Sequence, residues 1–253
     1  MGLLDGKSAI VTGAGSGIGR AAARRFAAEG ASVVLVSRRA APLEALAEEI
    51  AAAGGTALPC PGDVTDPAAA ESAVALATAR FGGLDIAFDN AGDLGALGPA
   101  ETLEVDAFRA TLETNLVAAF ACARAQLPAL EARGGSLIFT GSFVGVTAGL
   151  AGMAPYAAAK AGLLGLTRVL AAEYGPRGVR VNALLPGGTD TPMGEAATAT
   201  PEARAAVEGL HALKRLATPE EIAGAALFLA SDLSGFVTGT ALFADGGVST
   251  SRG

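Results

Sequence analysis

A tyrosine and a lysine stand four residues apart in the stretch Tyr156-Ala157-Ala158-Ala159-Lys160. On a helix, that spacing puts both side chains on one face, one turn apart. A nearby ammonium favours the phenolate and lowers the phenol's pKa. A group with an ordinary pKa of about 10 then becomes a usable acid–base near neutral pH. An Ala-rich helix that only packs would carry the same two residues, so the reading depends on whether the chain builds a site around them.

A second candidate lies near the start, in Gly13-Ala14-Gly15-Ser16-Gly17-Ile18-Gly19. It follows a β-like run at 7–12 and precedes an Ala-rich helix expected at 20–29. Gly13, Gly17 and Gly19 remove side chains where backbone N–H groups can meet an anion. A helix beginning near Gly17 points its positive end at that anion. The spacing is G-x-x-x-G-x-G, not the common dinucleotide pattern G-x-G-x-x-G. Alone it is weak; directly after the first strand of an alternating chain it is much stronger. No G-x-x-x-x-G-K-[ST] stretch occurs, which disfavours a nucleotide triphosphatase.

The elements that would position these groups alternate. Apolar, strand-like runs fall at 7–12, 31–36, 56–61, 84–88, 136–140, 179–184 and 240–244. Helical stretches between them are expected at 20–29, 41–53, 67–81, 103–133, 155–174 and 219–230, with Pro128 breaking the long one near its end. Asp66-Pro67 reads as an N-cap with Pro at the first helical position, and Thr218-Pro219-Glu220-Glu221 as a capping box. Strand–helix alternation implies right-handed crossovers and a mostly parallel sheet covered on both faces. The chain therefore reads as a single doubly wound, Rossmann-like α/β domain over 1–253, with seven strands in the order 3-2-1-4-5-6-7.

Composition narrows the function. The 253 residues are 51% hydrophobic, enough for one large core, and the formal net charge is −7. With no basic cluster beyond short pairs, nucleic acid and anionic membrane surfaces are poor partners. No apolar run reaches a membrane span, and residues 1–7 do not resemble a secretory signal, so a cytoplasmic location is expected. Cys60 and Cys122 read as two buried free thiols. The lone histidine, His211, lies on a polar stretch and reads as a surface or lid residue. No metal-ligand spacing is present.

At the end of the second strand, an acid would accept a hydrogen bond from a ribose 2′-OH, whereas a base suits a 2′-phosphate. Here Val36 is followed by Ser37-Arg38-Arg39. This favours NADP(H), with Arg38 as the main phosphate partner and Ser37 and Arg39 assisting; NAD(H) stays open. Asp63, after the third strand, could accept from the adenine amino group.

Together these stretches resemble the short-chain dehydrogenase/reductase family, over essentially the whole chain. The likeness is carried by Thr12 to Gly19, Asn90-Ala91-Gly92, Asn115, Ser142, Tyr156 with Lys160, Pro186-Gly187 with Thr191, and Asp245-Gly246-Gly247. It implies that Tyr156 exchanges a proton with the substrate oxygen, while Lys160 lowers the phenol's pKa and holds the nicotinamide ribose. Ser142 would hold the substrate oxygen, and Asn115 would support a water linking Lys160 to solvent. Gly13, Gly15, Ser16, Gly17, Ile18 and Gly19 would line the pyrophosphate, and Asp63 and Val64 the adenine. Asn90, Ala91 and Gly92 would pass under the ribose. Pro186, Gly187, Thr189 and Thr191 would meet the nicotinamide end.

Asp89 stands where a second Asn is common in the family, which puts the local support network in question. The role of Asp190 is open. Residues 192–214 fall where the family carries a substrate lid. Substrate specificity is expected there, at 145–154 and at 93–97.

The resulting expectation is an NADP(H)-dependent oxidoreductase, a carbonyl reductase or alcohol dehydrogenase acting on a small-molecule carbonyl or secondary alcohol. Alternatives are a beta-ketoacyl carrier-protein reductase, a sugar or polyol dehydrogenase, and a cofactor-binding regulator or scaffold without catalysis. The family is commonly tetrameric. Small residues Ala157, Ala158, Ala161, Gly162 and Gly165 would permit close helix packing, so a homotetramer is expected, with a homodimer as the alternative.

Overall fold

Val, Ile and Leu dominate the strand-like runs, and these runs form the buried centre of the molecule. In the computed structural model, which describes residues 2–250, seven strands form one sheet in the order β3-β2-β1-β4-β5-β6-β7. They are β1 (Ser8–Thr12), β2 (Ser32–Ser37), β3 (Thr56–Pro61), β4 (Ile86–Asp89), β5 (Ser136–Thr140), β6 (Arg180–Pro186) and β7 (Ala241–Ala244). Every pairing is parallel. β1, β4 and β5 are buried at every residue, as continuous apolar runs in a doubly covered sheet should be.

Helices α1 (Gly17–Ala28), α2 (Ala40–Ala52), α3 (Pro67–Phe81), α4 (Val105–Leu112), α5 (Ala118–Glu131), α6 (Ala154–Tyr174), α7 (Pro192–Ala197), α8 (Pro201–Leu210) and α9 (Pro219–Ala230) complete the chain. One face of the sheet packs on α1, α2 and α9 through Phe26, Leu43, Leu46, Ile222 and Leu227. The other packs on α3, α5 and α6 through Ala73, Leu127, Leu130, Leu163 and Leu170. With both faces covered by helices, the strand ends are left open to ligands.

The terminators work as their chemistry requires. The Asp66 carboxylate accepts from the Ala68 N–H (3.0 Å) at the start of α3. Thr218 and Glu221 close a reciprocal capping box on α9, worth about 1 kcal/mol. Among the described residues no helix is long and apolar enough to cross a membrane.

Four expectations need correction. The long helix expected at 103–133 is interrupted by a π-helical turn, Glu113–Val117, between α4 and α5. The Asn115 side-chain amide donates to the Thr111 carbonyl (3.0 Å), which an α-helix would reserve for the Asn115 backbone N–H. Pro128 does not break the helix; α5 continues to Glu131 around it. Cys122 is buried as expected, but Cys60 is only half-buried; both thiols are free. Of the small residues on α6, Gly162 serves packing inside the chain, because a Cβ there would lie 2.8 Å from Leu116 Cδ2.

Candidate active site

The C-terminal ends of the parallel strands open into one cleft of about 690 Å³. Its first wall is the turn from β1 into α1. Gly13 takes φ 69°, and Gly13, Gly15, Ser16, Gly17 and Ile18 line the cleft. Gly19 does not line it. A Cβ on Gly19 would lie 2.3 Å from the Gly13 carbonyl oxygen, so its role is to let α1 close against the turn. Thr12 ties this turn to β4: its hydroxyl accepts from the Asn90 and Ala91 N–H groups (2.9 and 3.0 Å).

Ser37, Arg38 and Arg39 line the cleft where β2 ends, with Asp63 and Val64 beyond β3. Both arginines are exposed, and among the described residues neither makes an ion pair. The Asp63 carboxylate accepts from the Thr65 N–H and hydroxyl (3.0 and 2.9 Å), and these bonds, with a smaller pull from Arg38, hold its pKa low.

The other end of the cleft carries the acid–base groups. Tyr156 and Lys160 lie on one face of α6, and the Lys160 ammonium sits 5.6 Å from the Tyr156 ring centroid. Lys160 is 4% exposed and donates to the Thr140 carbonyl at the end of β5 (2.8 Å). Burial lowers its pKa to about 8, while Asp93 pulls it back up. Ser142, two residues past β5, accepts from the Val144 N–H (3.1 Å), which orients its hydroxyl.

The expected lowering of the Tyr156 pKa is not what the chain alone produces. Burial raises it; the Ser142 hydroxyl bond opposes this, and Asp93 adds to the rise. Desolvation of the phenolate outweighs the single ammonium nearby.

Asn115 is 1% exposed, and its carbonyl oxygen accepts from the Asp93 N–H (3.2 Å). The glycine between them is required: a Cβ on Gly92 would lie 2.6 Å from Asn115 Oδ1 and 3.4 Å from Lys160 Nζ. Pro186, Gly187, Thr189 and Thr191 complete the cleft on the β6 side. The Thr191 hydroxyl accepts from the Gly194 N–H (3.0 Å) and so caps α7.

Three residues take roles that the sequence left open or misplaced. His211 is neither a surface nor a lid residue but 1% exposed. Its Nε2 accepts from the Gly188 N–H (2.9 Å), so Nδ1 carries the proton and donates to the Val207 carbonyl (2.8 Å). It therefore bolts the end of α8 to the loop after β6. A sole histidine with no partner at a fixed spacing gives no sequence signal for this. Asp190 pairs with Arg204 of α8 (3.2 Å), a second tie of the same kind. Thr140 supplies the carbonyl that Lys160 grips; its position at a strand end beside Ser142 was the available clue.

Asp89 points away from the cleft and is buried against α5, where it accepts from Gln126 Nε2 (3.0 Å). Among the described residues it accepts no backbone bond, and Asp89 Oδ2 and Gln126 Oε1 are both buried without a partner. Burial raises the Asp89 pKa to about 7, and Gln126 only partly offsets this. The folded chain thus holds a proton that the unfolded chain releases at lower pH. Stability falls as pH rises through the interval from the ordinary carboxylate value to about 7. Asp89→Asn supplies a donor for the orphaned Gln126 oxygen and removes the charge. It is expected to add about 1–3 kcal/mol at about pH 8, a rise of several degrees in Tm, and to add much less at about pH 4. Thermal melts at both pH values test this; an equal gain at both would contradict the protonation account.

Known proteins agree with this architecture. The family described as enoyl-(acyl carrier protein) reductase matches residues 13–249. The chain belongs to the short-chain dehydrogenase/reductase family. It is 37% identical over 243 residues to cyclohexanol dehydrogenase of Acinetobacter sp. (strain SE19), covering 96% of this chain and 94% of the relative. A Beutenbergia cavernae structure with bound NADP at low occupancy superposes with TM-score 0.92 at 40% identity, covering 98% of each chain. A 7α-hydroxysteroid dehydrogenase complexed with NADH and 7-oxo glycochenodeoxycholic acid superposes with TM-score 0.90 at 34% identity, covering 96% of this chain and 94% of that one.

Proposed function

We propose that the protein is an NADP(H)-dependent oxidoreductase that interconverts a carbonyl and a secondary alcohol. The observation that carries this is the convergence of Ser142, Tyr156, Lys160 and Asn115 at one end of a cleft whose other end is the Gly13–Ile18 turn. The cleft fits a dinucleotide. Side chains at Gly15 and Gly17 would meet Ser37 Oγ at 3.1 Å and Thr191 Cγ2 at 3.0 Å, narrowing the path past the first turn of α1. A bound nicotinamide would supply or accept the hydride.

The chain's own residues handle the proton and the orientation. Tyr156 donates its phenolic proton to the substrate oxygen during reduction and takes it back during oxidation. Ser142 holds that oxygen beside the phenol. Lys160 keeps a positive charge beneath the phenol and offers its remaining donors to the ribose. Asn115 and the π turn support a path from Lys160 to solvent. Raising pH removes the phenol's proton, so oxidation gains and reduction loses.

The preference for NADP(H) rests on the end of β2; one structural neighbour carries NADP and another NADH. Exposed Arg38 and Arg39, with no acid at the strand end, favour a 2′-phosphate.

The substrate end of the cleft favours a neutral, largely apolar alcohol. Leu94, Phe143, Val144, Leu150, Met153 and Val207 line it, and Asp93 brings a negative charge. Among the described residues no cation lines that end except Lys160. A sugar acid or a carrier-bound acyl chain would find no partner for its charge, and a polyol would leave hydroxyls unpaired. The test follows nicotinamide absorbance with both cofactors over cyclohexanol, threitol and gluconate. Turnover of cyclohexanol with NADP⁺ above the other two supports the reading. Preference for gluconate or threitol would overturn the substrate class, and no turnover of any alcohol or ketone would overturn the enzyme.

We also propose a homotetramer. Val117 and Phe120 on the α5 side and Val169 on α6 are apolar and exposed, beside exposed Ala158 and Gly165. A monomer in light scattering would refute it.

A further inference from the structure

We infer that the Asp93 carboxylate is the charged counter-group of the Tyr156–Lys160 pair and sets the pH range in which that pair exchanges its proton. The inference rests on the oxidoreductase reading above. Asp93 follows Gly92 on the loop leaving β4, and its side chain is exposed and lines the cleft. Its N–H donates to Asn115 Oδ1 (3.2 Å), and its own Oδ1 lies 3.4 Å from Asn115 Nδ2. Because the Cβ position of Gly92 faces both Asn115 Oδ1 and Lys160 Nζ, the next residue, Asp93, is anchored at the rim of the same small space.

The neighbouring ionisable groups leave this place to Asp93. Of those lining the cleft, Arg38, Arg39 and Asp63 belong to the ends of β2 and β3, while Tyr156 and Lys160 stand on α6. Glu113, in the π turn, is exposed and does not line the cleft. Asp89, at the end of β4, faces Gln126 on α5. Arg204 of α8 is held by Asp190 and Glu208. Asp93 is thus the one anion at the acid–base end among the described residues.

Its charge acts on both partners in the same sense. It favours the Lys160 ammonium, which burial would otherwise discharge, and it disfavours the Tyr156 phenolate. The outcome is a charged lysine under a protonated phenol, the state ready to reduce a carbonyl. The same charge weakens the phenolate's access during oxidation at neutral pH.

The test compares the parent with Asp93→Asn and Asp93→Glu. The Asn variant keeps the main-chain bond to Asn115 but loses the charge. In cyclohexanol oxidation its acid limb is expected about 0.5 pH unit or more below the parent's, with the difference shrinking at about 1 M salt. The Glu variant should track the parent. A change in kcat with superimposable pH profiles would mean a purely structural role and overturn the inference, as would a shift to higher pH.

A second readout needs no turnover. The chain has two tyrosines and no tryptophan. In a Tyr174→Phe background, phenolate absorbance reports Tyr156 alone. Asp93→Asn should lower the midpoint of that titration; an unmoved midpoint overturns the inference. If the midpoint moves but no alcohol is oxidised, the enzyme reading fails while the electrostatic assignment stands.

Discussion

Tyr156→Phe is expected to leave the fold and NADP(H) binding intact and to lower kcat about 10²–10⁴-fold. The ring that packs with Phe143, Val144 and Met153 is retained, so the melting temperature should change little. What is lost is the phenolic proton donor placed beside Ser142 at the apolar end of the cleft. Lys160 stays held against the Thr140 carbonyl at 2.8 Å, 5.6 Å from the ring centroid, with its other donors left for the ribose. Steady-state kinetics with a cofactor-binding titration distinguish the cases. Near-parental kcat would remove Tyr156 from the reaction, whereas loss of cofactor affinity in parallel would point to a binding role.

Arg38→Asp is the second large effect. A carboxylate at the end of β2 repels a 2′-phosphate and accepts from a ribose 2′-OH. One charged hydrogen bond lost and one repulsion gained should move the NADP(H)/NAD(H) ratio of kcat/KM by about 10²-fold toward NAD(H). The side chain is exposed with no ion pair among the described residues, so stability should be nearly unchanged. A parent that already prefers NAD(H), or a variant whose ratio does not move, would refute the assignment of Arg38.

The sheet was readable from the sequence because its strands are continuous apolar runs separated by helices with clear caps. Thus β3 and β5 fall on the expected residues, and the strand order is the one expected of a doubly wound, Rossmann-like sheet. The ends of the site were readable for another reason: glycines and strand-end residues are confined by backbone geometry. What escaped depends on long-range pairing. The π turn exists because a side-chain amide at Asn115 competes for a helical carbonyl, and no periodicity registers that. His211 is polar by composition yet buried, because the Gly188 N–H and the Val207 carbonyl satisfy both ring nitrogens. Spacing shows the Lys160 ammonium beside Tyr156 but not the depth of burial that raises the phenol's pKa. Asp89 stands out in the sequence, but its partner Gln126 lies 37 residues away on another element.

On the proposed mechanism, hydride leaves the carbinol carbon while Tyr156 receives the hydroxyl proton. Oxidation of cyclohexanol deuterated at the carbinol carbon, with NADP⁺ and the parent protein, tests it most directly. Deuterium should appear at C4 of the reduced nicotinamide, and the Tyr156→Phe variant should bind NADP⁺ yet transfer almost none. Deuterium released to water, or undiminished transfer by the variant, would contradict the account.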